Sequence, residues 1–177
     1  MTLELMGERH FRRILDVGCA EGIFFPELAR RCDKLFAMDV HENLKWTQEL
    51  AVKEGLQVNL ARATVEALPF QSGSFDAVVC LSVLFYLGAG LDKAIRELAR
   101  VTSTEGIILL GTPVESWITR YAYRAFGFGG VLRLHASNYR QILKALQAQM
   151  QVVKTVHWPF LLPLDQCMYV CWACRKR

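Results

Sequence analysis

Ile14-Leu15-Asp16-Val17-Gly18-Cys19-Ala20-Glu21-Gly22 is the stretch on which the fold turns. An aliphatic pair leads into an acid, and small residues then recur at every second place. This reads as a buried strand from Phe11 to Val17, a tight bend, and a helix that starts near Gly22 and runs to about Arg31. Pro26 is tolerated only in the first turn of such a helix, where backbone N–H groups lack intrahelical partners anyway. A strand that brings a carboxylate and a glycine bend to one edge of a sheet is how an open α/β fold builds a nucleoside pocket.

Spacing separates the nucleoside cofactors that such a pocket takes. A dinucleotide fingerprint needs small residues at the first, third and sixth places, the last for close helix–strand packing. Counted from Gly18, these places hold Gly18, Ala20 and Ile23, so a nicotinamide-dependent oxidoreductase is disfavoured. An acid followed by small residues at alternate positions fits instead: Asp16, Gly18, Ala20 and Gly22. This pattern resembles the first motif of class I S-adenosylmethionine (SAM)-dependent methyltransferases, with Ala20 where the family usually has Gly. SAM has no pyrophosphate to cradle but carries an ammonium group, which a carboxylate such as Asp16 can receive. Glycines let the backbone approach the cofactor closely.

The resemblance extends from Phe11 to Gly111 and is looser beyond. Lys34 to Val40 reads as a second strand ending in Asp39, 23 residues after Asp16. That spacing suits a βαβ repeat and matches the acid about 20 residues on that binds a ribose diol. The resemblance assigns Asp39 to the ribose of SAM, with Val40 beside it, and Cys19 and Cys80 to the cofactor pocket. His41 stands at the start of the next helix, as a cap or a pocket wall; that helix spans about Glu42 to Glu54 and stops at Gly55. Leu56, Val58 and Leu60 alternate as a third strand. Ala63-Thr64-Val65-Glu66-Ala67-Leu68-Pro69-Phe70 is similar to the Gly-Asp-Ala-Glu-x-Leu-Pro-Phe of many small-molecule members. Thr64 replaces the Asp that reaches the adenine amino group, which shifts adenine recognition toward the backbone of Thr64 and Val65.

Ser74 to Leu81 is a continuous apolar run, as expected of a central strand covered on both faces. Cys80 to Leu87 resembles the family's Ser-Ser-x-Val-Leu-His-His-Leu, with Phe85 and Tyr86 in place of the histidines. Methylases of adenine amines or glutamine amides usually carry Asn/Asp-Pro-Pro-Tyr/Phe here. Its absence argues against DNA and against those RNA and protein substrates. Leu91 to Arg100 is an amphipathic helix with Leu91, Ile95, Leu98 and Ala99 on one face, and an Asp92–Arg96 surface pair. Thr102 to Gly106 reads as a turn before a fifth strand, Ile107 to Gly111. A last helix spans about Asn138 to Met150, and Gln151 to His157 and Gln166 to Cys174 read as two final strands. The implied architecture is α/β: a Rossmann-like, doubly wound, mostly parallel seven-stranded sheet with an antiparallel C-terminal strand pair.

Composition is compatible with one domain over residues 1–177, at 53% hydrophobic and 21% charged. The net charge of +4 is too mild to mark a nucleic-acid stripe. No apolar run reaches the length of a membrane span, and Met1 to His10 lacks the apolar core of a signal peptide, which makes the cytoplasm the default location. The six cysteines then read as reduced thiols. Cys171 and Cys174, three apart on an apparent strand, should point to opposite faces, and the four histidines show no ligand spacing, so no metal site is expected. Family members often carry a helix or two ahead of the first strand, over the cofactor. Met1 to Arg13 leaves almost no room for it, which predicts an open pocket or one closed by a later segment, a homodimer mate or another partner.

The expected function is methyl transfer from SAM to a small hydrophobic or aromatic acceptor. The aromatic segment 112–138 is expected on the substrate side, with Trp158 to Pro163 near it; both are either an acceptor wall or a satellite core. A hydroxyl acceptor needs a proton removed, and His135 is the first candidate base, or else a hydrogen-bonded loop histidine. Tyr139 and Tyr86 are candidates to orient the acceptor. A methyltransferase of protein or structured RNA, and a catalytically silent SAM-binding partner module, are the competing readings.

Overall fold

The computed structural model describes residues 2–127 and 135–177. Seven strands form one sheet: β1 (Phe11–Val17), β2 (Cys32–Asp39), β3 (Val58–Arg62), β4 (Phe75–Leu81), β5 (Thr102–Pro113), β6 (Met150–Trp158) and β7 (Tyr169–Lys176). Their spatial order is β3-β2-β1-β4-β5-β7-β6. The first five run parallel, and β7 lies antiparallel between β5 and β6. The order reverses between β1 and β4, and an open α/β sheet binds ligands at such a reversal, beyond the carboxyl ends of its strands.

Alternation along the central strands splits the core in two. Val78 and Cys80 of β4, with Ile108 and Leu110 of β5, face one side; Ala77, Val79, Ile107 and Leu109 face the other. Helix α3 (Leu91–Val101) covers the first side with Leu91, Ala94, Ile95, Leu98 and Val101, a spacing that repeats about every turn. Helix α5 (Tyr139–Gln149) packs beside it through Ile142 and Leu146, and starts with a capping box in which Asn138 accepts from the backbone of Arg140 and Gln141. Cys171 and Cys174 fall into opposite cores, as their separation of three on a strand requires.

Helix α1 is shorter and later than its sequence suggests, spanning only Phe25–Ala29 with Pro26 in its first turn. A Cβ on Gly22 would lie 2.5 Å from the Phe25 ring, so the chain completes its bend against that ring before the helix begins. Helix α2 (Leu44–Lys53) ends where Gly55 takes a φ of 72° and the Leu56 N–H bonds back to the Ala51 carbonyl. The stretch Thr102–Gly106 is strand, not turn. It continues β5 directly from α3, and the pairing with β4 jumps from Phe75–Thr102 to Ala77–Ile107, so the extra residues bulge out on β5. Ala99 is only half-buried, and Asp92 bonds to Gln149 rather than to Arg96. Helix α4 (Trp117–Ala125) follows β5 within the segment 112–138, of which residues 128–134 lie outside the described residues.

Candidate active site

The bend after β1 is fixed to β2 and α2 by hydrogen bonds. The N–H groups of Gly18 and Cys19 both bond to the Met38 carbonyl, at 2.8 and 3.1 Å. The Thr47 hydroxyl donates to the Ala20 carbonyl at 3.0 Å. Gly18 adopts a φ of 78°, and a Cβ there would lie 2.2 Å from Val83 Cγ2, so only glycine fits. Ala20 also has a positive φ, 45°.

Asp39, at the end of β2, is held from both sides. One carboxylate oxygen accepts from the Ala20 N–H at 2.8 Å and the other from the His41 N–H at 3.0 Å. Each oxygen keeps a further acceptor site, and a vicinal diol offers two donors to such a pair. His41 caps its own turn, its Nδ1 accepting from the Asn43 N–H. Asp39 borders a cavity of about 430 Å³ together with Gly18, Ala20, Val40, Thr64 and Val65. Tyr86 closes its far side with Val83 and Leu87.

A second cavity of about 340 Å³ shares Gly18, Ala20, Leu81 and Ser82 with the first and is lined further by Asp16 and Cys19. Asp16 is buried, and burial, helped by the charge of Asp39, pushes its carboxyl up to about 7. A cation beside it would reverse that shift. Ser82 takes a φ of 57°, its N–H bonds to the Gly111 carbonyl, and its hydroxyl meets that of Tyr169 at 2.8 Å. Burial raises the Tyr169 phenol. Tyr169 lies on β7 directly over Gly111, where a Cβ would come within 2.8 Å of its ring. Thr2 borders the same cavity, and Leu5 and Met6 are buried, so the short N-terminal segment packs against the site.

Eight of the ten expected cofactor residues therefore surround the two cavities. Gly22 instead forms the bend under Phe25, and Cys80 is buried in the sheet. The Thr64 oxygen accepts from the Glu66 N–H, while Leu68 and Phe70 are pinned by α3. Glu97 accepts from the Leu68 N–H, and Arg100 donates to the carbonyls of Leu68 and Phe70 at 2.9 and 2.7 Å. Arg100 in turn holds Glu97 below the usual carboxylate range.

The three acceptor-side candidates take different places. Tyr86 reaches the first cavity. His135 sits one ring away, against Phe85 at 4.3 Å, and Phe85 packs on Tyr86 at 4.1 Å. The His135 side chain is buried, its Nδ1 lies 2.7 Å from Glu115, and its Nε2 has no hydrogen-bond partner among the described residues. Tyr139 instead joins α5 to the β6–β7 connection, its hydroxyl bonding to Asp165 and accepting from Arg140. Ser82 and Tyr169 were not legible as site residues. Ser82 follows a strand end and was open to inference; Tyr169 comes to the site only through the insertion of β7 beside β5.

Among the described residues, no group of three His, Cys, Asp or Glu is arranged to hold a metal, and no helix is long and apolar enough to cross a membrane. The family profile described as "Methyltransferase domain" matches residues 15–110. The chain is 37% identical over 123 residues to the ubiquinone biosynthesis O-methyltransferase of Methylocella silvestris, spanning 68% of this chain and 46% of that one. It is 31% identical over 103 residues to the malonyl-[acyl-carrier protein] O-methyltransferase of Legionella pneumophila, spanning 57% and 36%. It thus matches less than half the length of each of these relatives. The N-methyltransferase NodS of Bradyrhizobium japonicum superposes with a TM-score of 0.75 at 20% identity, over 99% of this chain and 92% of that one. With the Rossmann-like sheet, its reversal point and the matched motifs together, the chain belongs to the class I SAM-dependent methyltransferase domain family.

Proposed function

We propose that this chain transfers the methyl group of SAM to a small hydrophobic or aromatic acceptor. The observation that carries the reading is the pair of neighbouring cavities that share Gly18 and Ala20, with a doubly anchored carboxylate in one and a buried one in the other. These residues fit SAM: Asp39 would hold the ribose hydroxyls, Asp16 the ammonium, and Val65 and Leu87 the apolar faces of the nucleoside. When bound, SAM supplies a methyl group made electrophilic by a cationic sulfur.

The protein's own part is then binding, alignment and exclusion of water. Tyr86 borders the cavity and would orient the acceptor. Glu115 would keep a proton on Nδ1 of His135, and Nε2, buried one ring from the cavity, would take the proton of an acceptor hydroxyl once Phe85 swings aside. The relatives named as O-methyltransferases support an oxygen acceptor. Segment 112–138 would form the substrate side, and a second copy or a partner would close the pocket. The six buried thiols support a reducing compartment such as the cytoplasm.

Calorimetry with SAM on the wild type and on Asp39→Ala tests this. Micromolar binding that the substitution weakens by about tenfold or more is expected, because charge-assisted bonds to the ribose are lost. If neither SAM nor its demethylated product binds, the reading falls. If SAM binds and no acceptor is methylated, the silent partner module takes its place.

A further inference from the structure

We infer that α4 and the β6–β7 connection form a docking face for an anionic lipid bilayer. This goes beyond the proposed transfer reaction and does not depend on it. Trp117, Arg120, Tyr121 and Arg124 lie at i, i+3, i+4 and i+7 of α4, a single helical stripe, and all four are exposed. Trp117 and Tyr121 are 68% and 72% exposed, and Phe126, just past the helix, is 77% exposed. The inward side of the same helix carries buried Thr119 and the half-buried Ile118 and Tyr123. The helix thus turns its largest aromatic groups toward solvent.

Charge decides what would cover this stripe. The helix contains no acidic residue. Its nearest acid, Glu115, is engaged by His135, and among the described residues Arg120 and Arg124 form no ion pair. Guanidinium groups interleaved with indole and phenol rings are the mixture that settles at a lipid headgroup layer, the rings at the polar–apolar boundary and the cations on anionic phosphates.

A second element at the same end of the sheet, where Glu4 lies beside Trp158 and Phe160, supplies apolar depth. Trp158 pairs with Tyr169, and Tyr169 pairs with Pro113, only four residues before α4. Beyond Trp158, Phe160 and Leu161 are 76% and 82% exposed, within a six-residue run, 158–163, that has no charge. A nucleic-acid backbone offers Leu161 nothing to bury in, whereas a bilayer does. The helix adjoins the site by its inward side: the Tyr123 phenol is raised by burial and by Tyr86, which borders the first cavity.

Co-sedimentation with phosphatidylcholine vesicles, with and without phosphatidylglycerol, tests the inference. The wild type should partition to the anionic vesicles by about tenfold or more over the neutral ones, and added salt should weaken this. Arg120→Glu/Arg124→Glu should abolish the preference, and Phe160→Ala/Leu161→Ala should weaken binding, with melting temperatures unchanged. As a reading independent of variant folding, vesicles should shift the wild-type tryptophan emission to the blue, and Trp117→Phe/Trp158→Phe should remove the shift. Equal partition to both vesicles, or binding indifferent to these substitutions, would overturn the inference. So would RNA or a protein partner binding this face while vesicles do not.

Discussion

Glu115 and His135, twenty residues apart in the chain, meet at 2.7 Å through Nδ1, and the opposite ring nitrogen is buried with no partner among the described residues. A carboxylate on Nδ1 selects the tautomer whose Nε2 accepts. Glu115→Gln should therefore lower kcat by about ten- to a hundredfold while leaving SAM affinity unchanged, since an amide can present either hydrogen or oxygen to the ring. His135→Ala should lower kcat further. Steady-state kinetics beside calorimetry separates the two quantities. Equal losses in SAM binding would make the pair a structural one.

Gly18→Ala should damage the site by two routes. The left-handed backbone costs about 1–2 kcal/mol for a residue with a Cβ, and that Cβ meets Val83 Cγ2. In Gly18→Ala/Val83→Ala the collision is relieved and the backbone strain stays. A double-mutant cycle in urea denaturation should show a favourable coupling between the two substitutions.

Asp16 gives the unliganded domain a definite pH dependence. Its carboxyl titrates at about 7 when folded but near 3.8 in the open chain. Between these values the folded state binds more protons than the unfolded, so stability falls as pH rises from about 4 to about 7 and levels off above. Asp16→Asn should remove that slope in melting temperature and raise stability at alkaline pH. The same substitution should weaken SAM binding, and wild-type affinity should increase as pH rises toward about 7, because a ligand cation favours the ionised carboxylate.

Arg100→Ala should loosen the loop that carries Thr64 and Val65. It removes two bonds to the carbonyls of Leu68 and Phe70 and frees Glu97. These contacts are half-buried, so a cost of about 1–3 kcal/mol in urea denaturation is expected. SAM affinity should fall by a few fold while kcat at saturation is kept.

The parts of the fold visible in the sequence are those that local chemistry dictates. Strands β1, β2 and β4 carry apolar runs that end beside an acid or a small residue, and Asp16, Gly18 and Asp39 follow from that spacing. The Leu68-Pro69-Phe70 motif was readable as a family feature, but its anchoring by Arg100 joins residues about thirty positions apart. The start of β5 was misread because Thr102-Ser103-Thr104-Glu105-Gly106 is polar and turn-like, and only the irregular pairing with β4 makes it strand. Helix α1 is short for a similar reason: the Phe25 ring under Gly22 is a packing fact that no periodicity records. Ser82 and Tyr169 meet across 87 positions, and no local pattern announces such a pair.

The placement of β7 between β5 and β6 sets an order of events during synthesis. A chain emerging from the ribosome presents β1 to β5 first, at roughly 5–20 residues per second. Until β7 follows, β5 is a bare sheet edge whose unpaired backbone invites foreign strands. Tyr169, which covers Gly111 and meets Ser82, belongs to the strand that ends this exposure. Sealing the edge and completing the wall beside Asp16 are thus one event, so only a chain made at least as far as β7 offers a ligand both cavities.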